Sequence, residues 1–244
     1  YRFARDRLSR GPALSLAIAY ACFWGLQRAA AFDVHETAFA PLAIGTAILA
    51  MDRRKWPLFW ATAAFMVFIK EDHIPLLGGF GLYLLLQREW KRGAIAIASS
   101  VAAFVIVFGV IIPAFNDAGA YGYASAYGDI LSRPWLIPLT LVTPLTKVET
   151  ALLWFLPFAF VSLASPLAWL VVPIAMTRFL SMTPTHWGTV FHYSAPLAPI
   201  VAMAAADGLA RIASSMNGAS LHRSPGGPQG SAPQRFIVAV AAAS

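Results

Sequence analysis

Apolar runs separated by short charged breaks extend along most of this 244-residue sequence. Only 12% of the residues are charged and 59% are hydrophobic, and the mean hydropathy is +0.65. Soluble globular chains carry about 25% charged residues, because they need polar groups to cover their surface. The composition therefore excludes an ordinary soluble domain and predicts an all-α, polytopic transmembrane helical bundle.

The apolar runs predict about eight membrane spans within a transmembrane domain at 1–212. Their approximate ranges are 11–28, 37–51, 56–69, 74–87, 93–113, 150–164, 166–182 and 194–210. We expect one outer loop at 114–149, because the apolar stretch 135–146 inside it is too short to cross. The segment 213–235, rich in Ser, Gly and Pro, is predicted to be a flexible cytoplasmic linker. Residues 236–244 are expected to begin a ninth, truncated span.

The distribution of basic residues predicts the orientation of these spans. If successive spans alternate in direction, loops 1–10, 52–55, 88–92 and 211–235 share one side and hold most of the 18 Lys and Arg residues. Cytoplasmic loops carry an excess of these residues, so this side, with the N-terminal basic segment, is predicted to be cytoplasmic. The excess of basic residues in these loops, as is usual in proteins of the lipid bilayer, explains the net charge of +7. No nucleic-acid partner is expected.

The hairpin at 56–87 is too short for the two crossings that the basic loops on either side of it require. Each arm has about 14 residues and spans about 21 Å, whereas the hydrocarbon core is about 30 Å thick. The charged turn 70–73 is therefore predicted to lie within the outer half of the bilayer. Ionised side chains at that depth are costly unless they pair or face water, so we expect a water-filled pocket around them. Gly78, Gly79 and Gly81 would let helices approach closely beneath it.

Three polar clusters, at 33–36, 70–73 and 186–193, supply the candidate site residues. The candidates are Asp33, His35, Glu36, Lys70, Glu71, Asp72, His73, His192 and Tyr193. The first cluster fits a helix N-terminus with a capping box equally well, and the second fits a solvated turn that reaches outward. His192 also fits an ordinary interfacial histidine. These residue types suit a divalent metal, but their spacings select none, so the cofactor stays open.

Three strings along the chain resemble a known family. They are FDVHETAFAPL at 32–42, IKED at 69–72 and HYSAPL at 192–197. Together they are similar to the bacterial family of predicted membrane proteins called domain of unknown function 2079, and the resemblance covers roughly 11–212. It implies a likeness to integral-membrane glycosyltransferases of the GT-C type, which take sugars from polyprenyl-phosphate donors at the outer face. The expected location is the bacterial plasma (inner) membrane, in a multi-pass topology.

The resemblance also implies roles for the candidate residues. Asp33, Glu36, Glu71 and Asp72 would be catalytic or would support catalysis, and His35, Lys70, His73, His192 and Tyr193 would bind substrate. In particular, Lys70 would meet the phosphate of a polyprenyl-phosphate-linked sugar donor. The principal catalytic acid of such enzymes would lie upstream of Tyr1, so the chain is expected to lack the N-terminal part of a longer protein.

Other functions are compatible with the same pattern. A secondary transporter also has broken helices and intramembrane charges, although no internal repeat is evident in this sequence. A non-catalytic membrane protein of envelope assembly would use the acidic turns to hold helices together.

Overall fold

Helices joined by turns and short irregular segments form the described chain, without a strand among residues 1–33, 35–117, 121–122, 124–130 and 132–221 of the computed structural model. The predicted all-α class is therefore confirmed. The α-helices are α1 (Arg2–Arg5), α2 (Arg10–Ala21), α3 (Trp24–Ala31), α4 (Ala40–Asp52), α5 (Trp56–Ile69), α6 (Ile74–Leu86), α7 (Trp90–Ile106), α8 (Ile112–Phe115), α9 (Ile137–Val142), α10 (Thr146–Phe155), α11 (Val171–Phe179), α12 (Pro184–Trp187) and α13 (Leu197–Leu221). Between them lie 3₁₀ turns at Glu36–Phe39, Glu71–His73, Ala124–Ile130, Pro134–Leu136, Leu156–Phe158, Val161–Ala164, Pro166–Leu170 and His192–Ser194, and a π-helical turn at Val107–Ile111.

Few of these helices are long enough to cross a bilayer on their own. In the described residues, Trp90–Phe115 and His192–Met216 are long and apolar enough. A third candidate is the pair Pro134–Val142 and Thr146–Phe158, which is bent by 64°. The predicted number of about eight spans therefore stays a prediction. Helices α4, α5 and α6 contain 13, 14 and 13 residues, or about 20 Å each. The lengths of α5 and α6 agree with the predicted arms of about 14 residues in the hairpin at 56–87.

Irregular backbone replaces continuous helix in several predicted spans. The predicted span 11–28 is broken between α2 and α3. In the span 150–164, Ala159 and Phe160 adopt left-handed conformations, with φ of 46° and 60°, and no α-helix continues past them. At the other end of the described chain, α13 runs to Leu221. Residues 222–235 of the predicted linker and the predicted ninth span at 236–244 lie outside the described residues.

The core is centred on α13, which packs against α2, α4 and the 3₁₀ turns at Val161–Ala164 and Pro166–Leu170. Its residues Ile200, Val201 and Ala204 are fully buried, as is Ile44 of α4. Because α13 contacts helices from both the first and the second half of the described chain, it fixes the position of the polar segment that precedes it.

Ion pairs join the loops that were predicted to be cytoplasmic. Arg7 pairs with Asp52 and lies 3.4 Å from Asp207 through its Nε, so the first loop is tied to α4 and α13. Two further ion pairs link the loops at this end: Arg53 Nη2 to Asp6 Oδ2 at 2.6 Å, and Arg54 Nη1 to Glu89 Oε1 at 3.0 Å. These basic loops therefore lie at one end of the bundle, and α5 leads from that end to the charged turn at the other.

The predicted close packing under the charged turn is confirmed for α6 and α7. A Cβ atom added to Gly81 would lie 2.6 Å from Ile97 Cγ1 and 2.9 Å from the carbonyl oxygen of Gly93. Contacts this short leave no room for a side chain. The absence of a side chain at Gly81 therefore sets the distance between the two helices.

Replacing Gly81 by alanine should destabilise the bundle by about 1–3 kcal/mol, because the new methyl group forces α6 and α7 apart. Thermal unfolding of the purified protein in detergent measures this loss. Gly11→Ala is the matched control, since nothing lies within 4 Å of a Cβ added there. Equal melting temperatures for Gly81→Ala and the unmodified protein would contradict the packing argument.

Candidate functional site

Three segments that are distant in sequence meet at the end of the bundle opposite the ion-paired loops. Lys70 Nζ lies 3.4 Å from Glu36 Oε1, which joins the α5–α6 turn to the segment before α4. The rings of His35 and His192 are 4.8 Å apart, and Lys70 Nζ lies 5.9 Å from the centre of the Tyr193 ring. The predicted clusters therefore form one site.

The backbone of the α5–α6 turn is irregular and places Lys70, Glu71 and Asp72 on the cavity described below. Lys70 is extended, with φ −162° and ψ 145°, and this conformation ends α5. The 3₁₀ turn Glu71–His73 follows, and His73 Nδ1 donates a hydrogen bond to the carbonyl oxygen of Lys70 at 3.3 Å. Proline in the first turn of α6 then restarts the helix, because its fixed φ suits that position.

Glu36 and Lys70 are held in their charged forms. Burial alone would raise the pKa of Glu36, but a backbone hydrogen bond and the charges of Lys70 and His35 bring that pKa below its usual value. Burial alone would lower the pKa of Lys70, but the charges of Asp72, Glu36 and Glu71 raise it. A cation and a carboxylate from different segments thus face each other at neutral pH.

His192 is enclosed by other rings. Its ring centre lies 4.7 Å from that of Phe32 and 4.6 Å from that of Tyr193. Its side chain is buried, and neither ring nitrogen has a hydrogen-bond partner among the described residues. His192 therefore separates the segment before α4 from a small polar cavity beside Lys70 and Tyr193.

A small cavity of about 50 Å³ lies beside the Glu36–Lys70 contact. Its lining residues are Lys70, Glu71, Asp72, Tyr121, Tyr127, Thr177, Arg178, His186 and Tyr193. The hydroxyl group of Tyr121 donates to Glu71 Oε1 at 3.2 Å, so the predicted outer loop 114–149 covers the charged turn. A cavity of this size and polarity holds a few water molecules or one edge of a larger ligand.

Most of the predicted site residues lie together around the cavity, but two of them do not. His35, Glu36, Lys70, Glu71, Asp72, His192 and Tyr193 lie around the cavity and its neighbouring wall. His73 is buried against Lys70 and does not line the cavity. Asp33 is exposed and forms no hydrogen bond or ion pair with another described residue. Within the described part of the chain, no group of three or more His, Cys, Asp or Glu residues is placed to hold a metal ion.

Arg178 is the main site residue that the sequence did not identify. It is 6% exposed, donates from Nε to the carbonyl oxygen of His186 at 2.7 Å, and donates from Nη1 to Ser194 Oγ at 2.9 Å. An arginine within the apolar run 166–182 was the available signal, because charges in such segments usually serve a site.

Glu71→Gln should lower the pKa of Tyr121. Burial and then the charge of Glu71 raise this pKa above its ordinary value of 10.0, and the substitution removes the charge but not the burial. The pKa should therefore move toward the ordinary value without reaching it. Ultraviolet absorbance titration, with Tyr121→Phe subtracted, measures the shift.

The same shift links Tyr121 to stability. Since the folded-state pKa is raised, its contribution is fully present below pH 10 and is lost as the pH rises through the folded-state value. Glu71→Gln should therefore reduce the loss of stability above pH 10. Glu149→Gln, at an exposed carboxylate of α10, is the matched control. An identical Tyr121 titration in the Glu71 and Glu149 variants would contradict the contact.

Comparison with known proteins identifies the family of the chain. The family model of the predicted membrane proteins DUF2079, domain of unknown function 2079, matches residues 1–224. No curated protein and no solved structure matches the chain significantly. The match covers most of the sequence and includes all three segments of the site. This chain therefore belongs to the membrane protein family of domain of unknown function 2079.

Proposed function

We propose that the protein is a glycosyltransferase of the GT-C type, which takes a sugar from a polyprenyl-phosphate donor at the extracytoplasmic face of the bacterial plasma membrane. The observation that carries this proposal is the contact between Lys70 and Glu36 beside a polar cavity. A cation for the phosphate and a carboxylate for the acceptor are thus available in one place, at the end of the bundle away from the basic loops.

Lys70 binds the donor phosphate in this mechanism. Its contact with Glu36 is long, at 3.4 Å, and the Glu36 side chain is 46% exposed. Ion pairs of this kind contribute little free energy, so a phosphate group can replace Glu36 as the partner of Lys70 at small cost. Asp72 and Glu71 keep Lys70 charged and oriented.

Glu36 then accepts a proton from the acceptor hydroxyl group. Once the phosphate compensates the charge of Lys70, the pKa of Glu36 loses one of the causes of its depression, and the carboxylate becomes a better base. The acceptor oxygen forms a bond to the anomeric carbon, the bond from that carbon to the phosphate oxygen breaks, and the polyprenyl phosphate leaves. His35, 2.7 Å from Glu36 through Nδ1, orients the carboxylate.

The remaining candidate residues shape the site. His192 and Tyr193 form the wall against which the substrate lies, and the buried His73 supports the backbone of the charged turn. Asp33, exposed at the edge of the site, is proposed to contact the acceptor.

Lys70→Ala should abolish the labelling of envelope glycans from a radiolabelled polyprenyl-phosphate sugar, because nothing else in the mechanism neutralises the leaving phosphate. The variant is expressed in place of the native gene, and its amount in the membrane is measured by immunoblotting. We expect normal amounts of protein and at least a hundredfold loss of labelling, about 3 kcal/mol of transition-state stabilisation.

Lys91→Ala provides the matched control, since Lys91 is an exposed lysine at the start of α7 in a predicted cytoplasmic loop. It should label glycans like the unmodified protein. Normal labelling by Lys70→Ala would remove the phosphate role and leave the transferase proposal without its main support.

A further inference from the structure

The cavity has a buried hydrogen-bond donor that no described residue satisfies. Arg178 uses Nε and Nη1 to bind the His186 carbonyl and Ser194, and its Nη2 has no partner among the described residues. The side chain is 6% exposed and lines the cavity. Leaving a buried guanidinium N–H without a partner costs free energy, and a molecule in the cavity that accepts a hydrogen bond from Nη2 would remove that cost.

Asp72 brings an acceptor to the same cavity. Its side chain is 37% exposed, and Oδ1 lies 3.0 Å from His73 Nδ1, which donates instead to the carbonyl oxygen of Lys70. The charges of Asp72 and Arg178 interact, but the two side chains do not form an ion pair. Arg178 as donor and Asp72 as acceptor thus both line the cavity without forming a hydrogen bond to each other.

The balance of charges selects the kind of ligand. Lys70 and Arg178 together offset Glu71 and Asp72 on the cavity wall. Between Arg178 and Asp72, away from the Lys70 end of the cavity that is proposed to take the phosphate, an anion would be repelled by Asp72 and a cation by Arg178. A neutral group that both donates and accepts hydrogen bonds satisfies both sides, and hydroxyl groups do this.

The aromatic lining points to a ring that bears those hydroxyl groups. Tyr121, Tyr127 and Tyr193 all contribute to the wall, and such side chains offer an apolar face together with a polar edge. The volume of about 50 Å³ admits the edge of a sugar ring, while the rest of the ring extends toward Lys70.

We propose that this cavity binds the hydroxyl edge of a pyranose ring, with one hydroxyl oxygen accepting from Arg178 Nη2 and a neighbouring hydroxyl group donating to Asp72. This inference rests on the proposed transferase function and specifies where its sugar lies. Arg178 is a substrate-binding residue in this arrangement, held in position by Ser194 and the His186 carbonyl.

Saturation-transfer difference NMR tests the proposal without any turnover. The full chain in lipid nanodiscs is titrated with methyl glucopyranoside, methyl mannopyranoside, methyl galactopyranoside and, separately, inorganic phosphate. At least one glycoside should bind, and Asp72→Ala and Arg178→Gln should each weaken it about tenfold or more, since each removes a hydrogen bond to a charged group. Arg28→Gln, at an exposed arginine of α3, should bind it normally.

The use of both Arg178→Gln and Asp72→Ala distinguishes a loss of sugar binding from a loss of folding. Arg178→Gln also removes bonds to Ser194 and His186, so its melting temperature is measured alongside. Asp72 is partly exposed and is not part of those bonds, so Asp72→Ala keeps the native fold. Normal glycoside binding by Asp72→Ala would overturn the proposal, as would a failure of the unmodified protein to bind any of the three glycosides, whether or not it binds phosphate.

A competition experiment shows whether the cavity binds the sugar of the donor or the sugar of the acceptor. A polyprenyl-phosphate sugar that displaces the bound glycoside identifies the cavity as the donor-sugar site, whereas simultaneous binding identifies it as the acceptor site. Both results support a sugar cavity. If glycoside binding depends on Arg178 and Asp72 while Lys70→Ala still labels glycans normally, the sugar cavity stands and the proposed transfer mechanism fails.

Discussion

The length of the α5–α6 hairpin is the constraint on which the candidate site depends. The two helices have 14 and 13 residues and are shorter than the hydrocarbon core of a bilayer, so their connecting turn is predicted to lie within it, where ionised side chains are costly unless they find partners. Those partners come from other segments: Glu36 for Lys70, and Tyr121 for Glu71. These contacts bring distant parts of the chain to one place.

The other end of the bundle is held together by ion pairs between arginines and carboxylates. There, arginines and carboxylates pair directly, and Asp207 of α13 accepts from Ser165 and Arg211 at 2.7 and 2.6 Å. The candidate site instead keeps Arg178 Nη2 and both nitrogens of His192 without partners among the described residues. Buried polar groups are nearly always hydrogen-bonded in proteins, so the unpaired groups of the candidate site support the binding of a ligand there.

Sequence patterns predicted the parts of this structure that depend on local chemistry. Helix type, the short arms and the close approach at Gly81 follow from residue counts and from the small size of glycine. The partners of Lys70 were also among the predicted clusters. The bond from Arg178 to Ser194 was not predictable, because only the packing of α11 against α13 brings those residues together. The left-handed backbone at Ala159 and Phe160 likewise has no local signal, since neither residue favours positive φ.

Helix α13 connects both ends of the molecule as one rigid element. Ser194, just before its first turn, accepts hydrogen bonds from Trp154 and Arg178, and Asp207 near its middle holds the basic loops. An α-helix is stiff along its axis, so a displacement of the basic loops along α13 would move the His192–Ser194 turn in the same direction. The same helix thus sets the position of the basic loops and of the turn that carries the candidate site, so a change of geometry at one end of the bundle alters the other end.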